Sequence, residues 1–496
     1  MKAQTITSKR TSKAIPIEVL LLVKAQTITS KRTSIGIAFD FWKSSDAVCV
    51  SNLAHDLTMR MIHESSAFPR KPAKPSKLID TTVCVLMNML NLAKVHSRAY
   101  IFYSRSRNHY SGKAVSHDHM MRVVRGLKDL GLIDTRDGAW SPVNTKSRRS
   151  CIRPTVALLN LFEEYQIQFH HICVASRFEL IVMKDSDKNQ IPLPQSRRAR
   201  TRINKMRRNL EKINEQIGQT FIGLNVDDET LETTSLLLSQ ERKKNAIDFS
   251  RKTLYRVFNN GDLNQGGRFY GGWWQNIPSE LRKEIIFGYA SEKKPLYTRE
   301  VDFRSMQPAI AYAKSGIPMP SQMYRLDLPA GCRNIAKKTL LAMLNTSSKR
   351  SVPPAVYKAL REEAENGETT AEELLPDGCP RIPEVVDCLE QRHSPIADWF
   401  YSKRGLELMA IEAEIAETTM VMLADEEITA LPIHDSFIVA SGHKVVLRDA
   451  MLEAFKIVTG HECRVSMEGR GSRNAWAAKQ STCRSLYKAW RKFALQ

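Results

Sequence analysis

Two short stretches, Val301-Asp302-Phe303-Arg304-Ser305 and Leu431-Pro432-Ile433-His434-Asp435-Ser436-Phe437-Ile438-Val439, each set one carboxylate at the end of an apolar, strand-like run. Taken singly, an Asp at a strand end is most often a turn or cap residue. Two that a fold brings together can share a pair of divalent cations about 3.5 to 4 Å apart, which clamp the attacking and leaving oxygens of a phosphoryl transfer. The pairing demands a sheet that unites distant parts of the chain.

Between them runs Arg333-Asn334-Ile335-Ala336-Lys337-Lys338-Thr339-Leu340-Leu341, a helical pattern. Arg333 and Lys337 stand four residues apart and so share a helix face. Two cations on one face repel and are tolerated when solvated. They are also what a triphosphate needs, because fixed positive charge stabilises a departing pyrophosphate.

The chain has 496 residues, enough for two to four domains with cores of their own. Lys plus Arg number 74 against 53 acids, a net charge of +21. Such an excess attracts polyanions over long range, so nucleic acid is the first partner to consider and an anionic membrane surface the second. The apolar run Ala14 to Val23 is broken by Pro16 and Glu18 and falls short of the roughly 20 residues of a spanning helix. No membrane helix and a cytoplasmic location are expected. The nine cysteines form no C-x-x-C pair, which is the usage of reduced thiols.

Four regions are expected. Residues 1–79 are a tail and lead-in, in which Lys2 to Ser12 is repeated at Lys24 to Ser34. Residues 80–155 resemble a winged helix-turn-helix. Thr82 to Lys94 has helical spacing and Tyr100 to Tyr103 is strand-like. Ser116 can cap a helix with an apolar stripe of Met120, Val123, Val124, Leu127 and Leu130, and Gly131 ends it. Asp137-Gly138 follows at a hairpin-turn position, with Arg148, Arg149 and Arg153 on the return strand. Read as a DNA-binding module, it turns His119, Arg122, Arg125 and Lys128 to a groove, with the wing arginines on phosphates. Read blandly, this is a solvated helix face in a protein-docking module; the charge of the whole chain favours nucleic acid.

Residues 156–250 read as a basic helical linker, with eight cations between Ser196 and Lys212 against one acid, Glu211. They suit either a solvated face or a helix that tracks phosphates. Glu362 to Asp377 is an acidic exposed insertion. Residues 251–496 carry the chemistry.

Four segments of that last region resemble, in order, the palm and fingers of the DNA polymerase I family (family A) and of the related phage-type single-subunit RNA polymerases. Gln275-Asn276-Ile277-Pro278 resembles the segment ahead of the first acid. Asp302-Phe303-Arg304-Ser305 stands at the D-Y-S motif. Arg333-x-x-x-Lys337 matches the fingers helix. His434-Asp435 matches the last motif, where Ser436-Phe437 is closer to the RNA polymerase form. The resemblance covers about half the chain, roughly Thr253 to Gly469. It implies an α+β fold, with a right-hand palm on an antiparallel sheet and small helical fingers, which the winged module and basic linker read above would precede.

It further implies that Asp302 and Asp435 ligate two Mg2+ ions and that Arg333 and Lys337 hold the nucleotide phosphates. His434 would lie near a primer terminus, with Arg268, Gln275 and Asn276 against the primer-template. Gln307 stands where family A has a ribose-screening Glu. Asn345-Thr346 replaces the Tyr-Gly beside the templating base, and Ser436 removes a possible third carboxylate. The implied activity is template-directed synthesis from nucleoside triphosphates on DNA, with DNA as product slightly favoured over RNA or primase-like synthesis. A replication initiator or regulator of a phage or mobile element, with the palm kept as scaffold, is the reading from another class.

Overall fold

The computed structural model describes residues 36–68, 75–97, 99–138, 149–240, 245–324, 326, 332–365, 378–467 and 481–495. The duplicated segments, Ala14 to Val23, Arg148 and residues 366–377 of the acidic insertion lie outside them. What is described is a mixed α+β molecule with two hydrophobic cores.

The first core belongs to β1 (Gly36–Ala38), α1 (Val48–Glu64), α2 (Ser76–Val95), β2 (Tyr100–Tyr103), α3 (His117–Asp129), β3 (Ile133–Arg136), β4 (Ser150–Pro154) and α4 (Val156–Glu164). The strands lie in the order β1-β2-β4-β3, parallel only at β1-β2. Ser116 caps α3 by accepting the His119 N–H at 3.3 Å. Met120, Val123, Val124 and Leu127 recur at helical spacing and are buried beneath it. Gly131, at φ +71°, ends the helix in a conformation that costs other residues about 1–2 kcal/mol. The helix α2 is long and apolar enough to cross a membrane by length and composition, and most of it is buried in this core.

The second core gathers β5 (Ile181–Lys184), β6 (Gln190–Ile191), α5 (Arg197–Gln219), β7 (Phe221–Leu224), α6 (Asp228–Gln240), β8 (Tyr255–Asn259), β9 (Asp262–Tyr270), β10 (Ile285–Gly288), β11 (Leu296–Phe303), α7 (Met306–Lys314), α8 (Arg333–Asn345), α9 (Val352–Glu365), α10 (Ile382–Arg392), α11 (Gly405–Asp425), β12 (Leu431–Ile433), β13 (Ser436–Ala440), α12 (Lys444–Thr459), β14 (Val465–Ser466) and α13 (Thr482–Ala494). Its main sheet is antiparallel, in the order β12-β13-β11-β10-β7, with β14 on the end of β11. A second sheet runs β9-β8-β5-β6.

Two features depart from the linear pattern. The stretch read as a linker contains, beside its basic helix, strands β5 and β7, which pair with β8 and β10. Gly266 and Gly267 form a bulge inside β9, at φ +82° and +81°. The acidic stretch begins inside α9. Between the two cores, Lys43 Nζ donates to Asp248 at 2.8 Å with both side chains nearly free of solvent. An ion pair so buried is strongly destabilised by loss of either partner.

Candidate functional site

The antiparallel register decides where the two acids go. Asp302 on β11 pairs with Ser436 on β13, and the Phe303 N–H donates to the Asp435 carbonyl oxygen at 3.1 Å. Adjacent strands lie about 4.8 Å apart, so this register sets the two aspartates side by side at one end of the sheet. Alternation along β11 buries Val301 and Phe303 on one face and turns Asp302 to the other. Asp302 is the penultimate residue of its strand, whereas Asp435 occupies the turn between β12 and β13. His434, next to Asp435, and Ser305, three residues after Asp302, hold left-handed backbones at φ +52° and +56°. Such conformations cost of order 1–3 kcal/mol and cluster at functional sites.

Asp302 opens on cleft water, yet the floor around it strips much of its hydration. Together with the Asp435 carboxylate, this pushes its pKa up to about 7. Lys337 pulls the other way and Glu300 adds to the rise. Water in the open cleft softens the effect.

Two cavities meet at this pair. One, of about 800 Å³, is lined by Arg268, Gln307, Arg333, Lys337 and Glu412 together with both aspartates. The other, of about 910 Å³, shares the aspartates and is lined by Gln275, Arg282, Glu300 and His434. The first turn of α8 explains the cationic wall. Ile335, Ala336, Thr339 and Leu340 are buried, which leaves Arg333 and Lys337 on the exposed face. The Arg333 guanidinium lies 5.5 Å from the centre of the Tyr324 ring.

Two acids that local sequence patterns did not single out complete the floor. Glu300 shares the face of Asp302, two residues away on β11. It accepts from Ser436 Oγ at 2.5 Å and from Arg282 Nε at 3.4 Å. Glu412, buried on α11, takes two 2.8 Å bonds from Arg268 and one from Gln307. Gln307 in turn accepts from Asn345 Nδ2 at 3.2 Å. Asn345, Gln307, Glu412 and Arg268 thus form one hydrogen-bonded chain along the cationic cavity. A strand-end Asp can be noticed in sequence; these two Glu positions acquire meaning only from the register and from helix packing.

The remaining sequence candidates scatter. Gln275 commits its amide to the Phe269 and Pro432 carbonyls at 3.0 and 3.3 Å, bracing the approach to β12, while Asn276 is exposed. Arg122, Arg125 and Arg149 are exposed on the first unit and line neither cavity. Arg125 reaches Ser66 Oγ at 3.1 Å, and Arg153 pairs with Asp134. Among the described residues no cluster of three His, Cys, Asp or Glu side chains closes on one point.

No protein-family model and no curated protein matches the chain. Among solved structures it is similar to the POL domain of Pol1 from M. smegmatis in complex with DNA primer-template and dNTP, with 11% identity and a TM-score of 0.24 over 88% of this chain and 68% of that one. The site's own geometry therefore carries the functional conclusion.

Proposed function

We propose that the chain is a template-directed nucleic-acid polymerase, a divergent and compact relative of the family A DNA polymerases and single-subunit RNA polymerases, with DNA the favoured product. The observation that carries this reading is the convergence of Asp302 and Asp435 where a cavity walled by Arg333 and Lys337 meets a second one lined by His434. Like charges set side by side, one of them held partly protonated, suit an added cation. Magnesium is bound through one or two carboxylates, with substrate oxygens and water completing its shell, so two aspartates without a third protein ligand fit it. When bound, two Mg2+ ions would activate the primer hydroxyl and neutralise charge on the leaving pyrophosphate.

The chain's own side chains supply position and charge. Lys337 and Arg333 grip the triphosphate, fixing its α-phosphorus toward the aspartates. The chain from Asn345 to Arg268 holds Gln307 rigid beside the sugar. His434 and Gln275 face the cavity left for the primer strand. Module α3-β3-β4, read as a winged helix, offers Arg122 and Arg125 to a DNA groove and Arg149 to its phosphates.

Primer extension by the purified protein with Mg2+ tests this reading. Incorporation is expected, with a drop of at least a thousandfold in Asp302→Ala and Asp435→Ala; activity intact in both would remove the site. Running dNTPs against NTPs on one primed template decides the product. A protein that keeps this scaffold only to bind DNA would show no Mg2+-dependent binding of nucleoside triphosphate.

A further inference from the structure

A third cavity, of about 290 Å³, lies beside the His434 side of the carboxylate floor. Gln275 and His434 line both it and the 910 Å³ cavity, whereas Arg333 and Lys337 line neither. It therefore adjoins the side opposite the triphosphate cations, where the strand bearing the 3′-hydroxyl belongs in the polymerase reading. Four aromatic residues, Tyr255, Phe269, Tyr270 and Trp273, share its walls with the charged Asp248 and Arg251. Tyr255 and Tyr270 stand 6.2 Å apart with a tilt of 35°, a wedge rather than a closed stack, and Trp273 also lines the cavity. Tyr270 is 39% exposed. No described residue hydrogen-bonds either tyrosine hydroxyl or the side-chain amide of Asn276, which sits on the rim.

Beside the wedge the backbone is closely packed. Gly271, at φ +114°, also lines the cavity, and a Cβ there would fall 2.2 Å from the Thr253 carbonyl oxygen and 3.1 Å from the Tyr255 ring. The volume is at the small end of ligand pockets, which run from roughly 300 to 1,000 Å³. One heterocycle fits such a space and a base pair does not. Aromatic faces bind bases of any sequence by stacking, and free amide and phenol groups can meet a base edge.

We infer that this cavity receives a single unpaired nucleobase from the 3′ end of the strand at the carboxylates, holding a frayed or mismatched terminus away from Asp302 and Asp435. The inference rests on the polymerase reading for the identity of the strand. A base drawn into the wedge leaves its 3′-hydroxyl misplaced for attack, so extension from a mismatch slows without any hydrolytic step.

The test is equilibrium binding by fluorescence anisotropy, with the full chain, without nucleotide, on primer-templates that differ only at the primer 3′ end. One terminus carries an unpaired base, one an abasic sugar and one a paired base. The wild-type protein is expected to prefer the unpaired base over the abasic end by about five- to tenfold, at the lower end of what one stacked base contributes. Tyr270→Phe keeps the preference, because the ring remains. Tyr270→Ala erases it and leaves affinity for the paired end unchanged; Asn276→Ala reduces it. Equal binding of unpaired and abasic ends by the wild type overturns the inference, as does a preference that survives Tyr270→Ala combined with Tyr255→Ala. Failure of incorporation with the preference intact would instead remove the polymerase reading and leave a base-binding pocket.

Discussion

At the residue scale the site is a problem of charge. Asp302 and Asp435 are placed by strand register, and burial together with the neighbouring carboxylate raises the Asp302 pKa to about 7. A carboxyl whose folded pKa lies above its unfolded value contributes stability below the unfolded pKa, and this is lost as pH rises through the folded one. The window here runs from about pH 4 to above pH 7. Asp302→Asn is therefore expected to raise the Tm of the metal-free protein at pH 8 and to leave it nearly unchanged at pH 4. Thermal melts in EDTA across that range check this; an equal or lower Tm at pH 8 would show that the pair is not strained. The two aspartates and the Arg333–Lys337 pair could be picked out in the sequence because each rests on a few adjacent residues. Glu300 and Glu412 could not, because their partners Ser436 and Arg268 lie 136 and 144 residues away.

At the element scale, the helices were the readable part. Helix α3 carries a cap, a stripe and a stop, and α5 shows five buried apolar residues from Ile203 to Ile217 at helical period. The short buried strand β7 was not readable: its Phe-Ile-Gly-Leu gives no period by which to tell it from the end of a helix, and only its pairing with β10 makes it part of the main sheet. The C-terminal helix α13 covers that edge, with Leu486, Tyr487 and Trp490 buried and Cys483 Sγ accepting the Leu224 N–H at 3.1 Å. Phe493 on the same helix stacks on His170 at 4.1 Å and 21°. Burial against this helix, with His171 beside it, lowers the His170 pKa to about 4. A histidine with a depressed pKa favours the fold above its unfolded value near 6.5, and that contribution disappears as pH falls through 4. The docking of α13 is thus expected to weaken between pH 6.5 and 4. Protection factors of the amides in 482–494, referred to the intrinsic exchange rate at each pH, should fall over that interval in the wild type and much less in His170→Phe; identical profiles would free α13 from this control.

At the scale of the whole molecule, a charge of +21 can act as a diffuse attraction or through a defined track. Helix α5 allows the two to be told apart. Arg202 is bonded to Asn264, Arg207 to Glu179 and Lys212 to Asp425, so these three brace the helix against its neighbours. Arg197, Arg198, Arg200, Lys205 and Arg208 are exposed and form no ion pair among the described residues. They fall within 12 residues, or about 18 Å of helix, a length over which duplex DNA presents about ten phosphates. Each phosphate contact made by a cation releases counterions and steepens the fall of log affinity with log salt by about 0.9. If the helix lies along the duplex, replacing all five by Gln should make that slope shallower by at least about 2 and at most about 4.5. Affinity at low salt would fall with it. A diffuse field predicts weaker binding with nearly the same slope, since the contacts themselves would lie elsewhere. Anisotropy titrations of a duplex between about 50 and 200 mM salt separate the outcomes, and an unchanged slope would return α5 to the role of a solvated brace between the sheets.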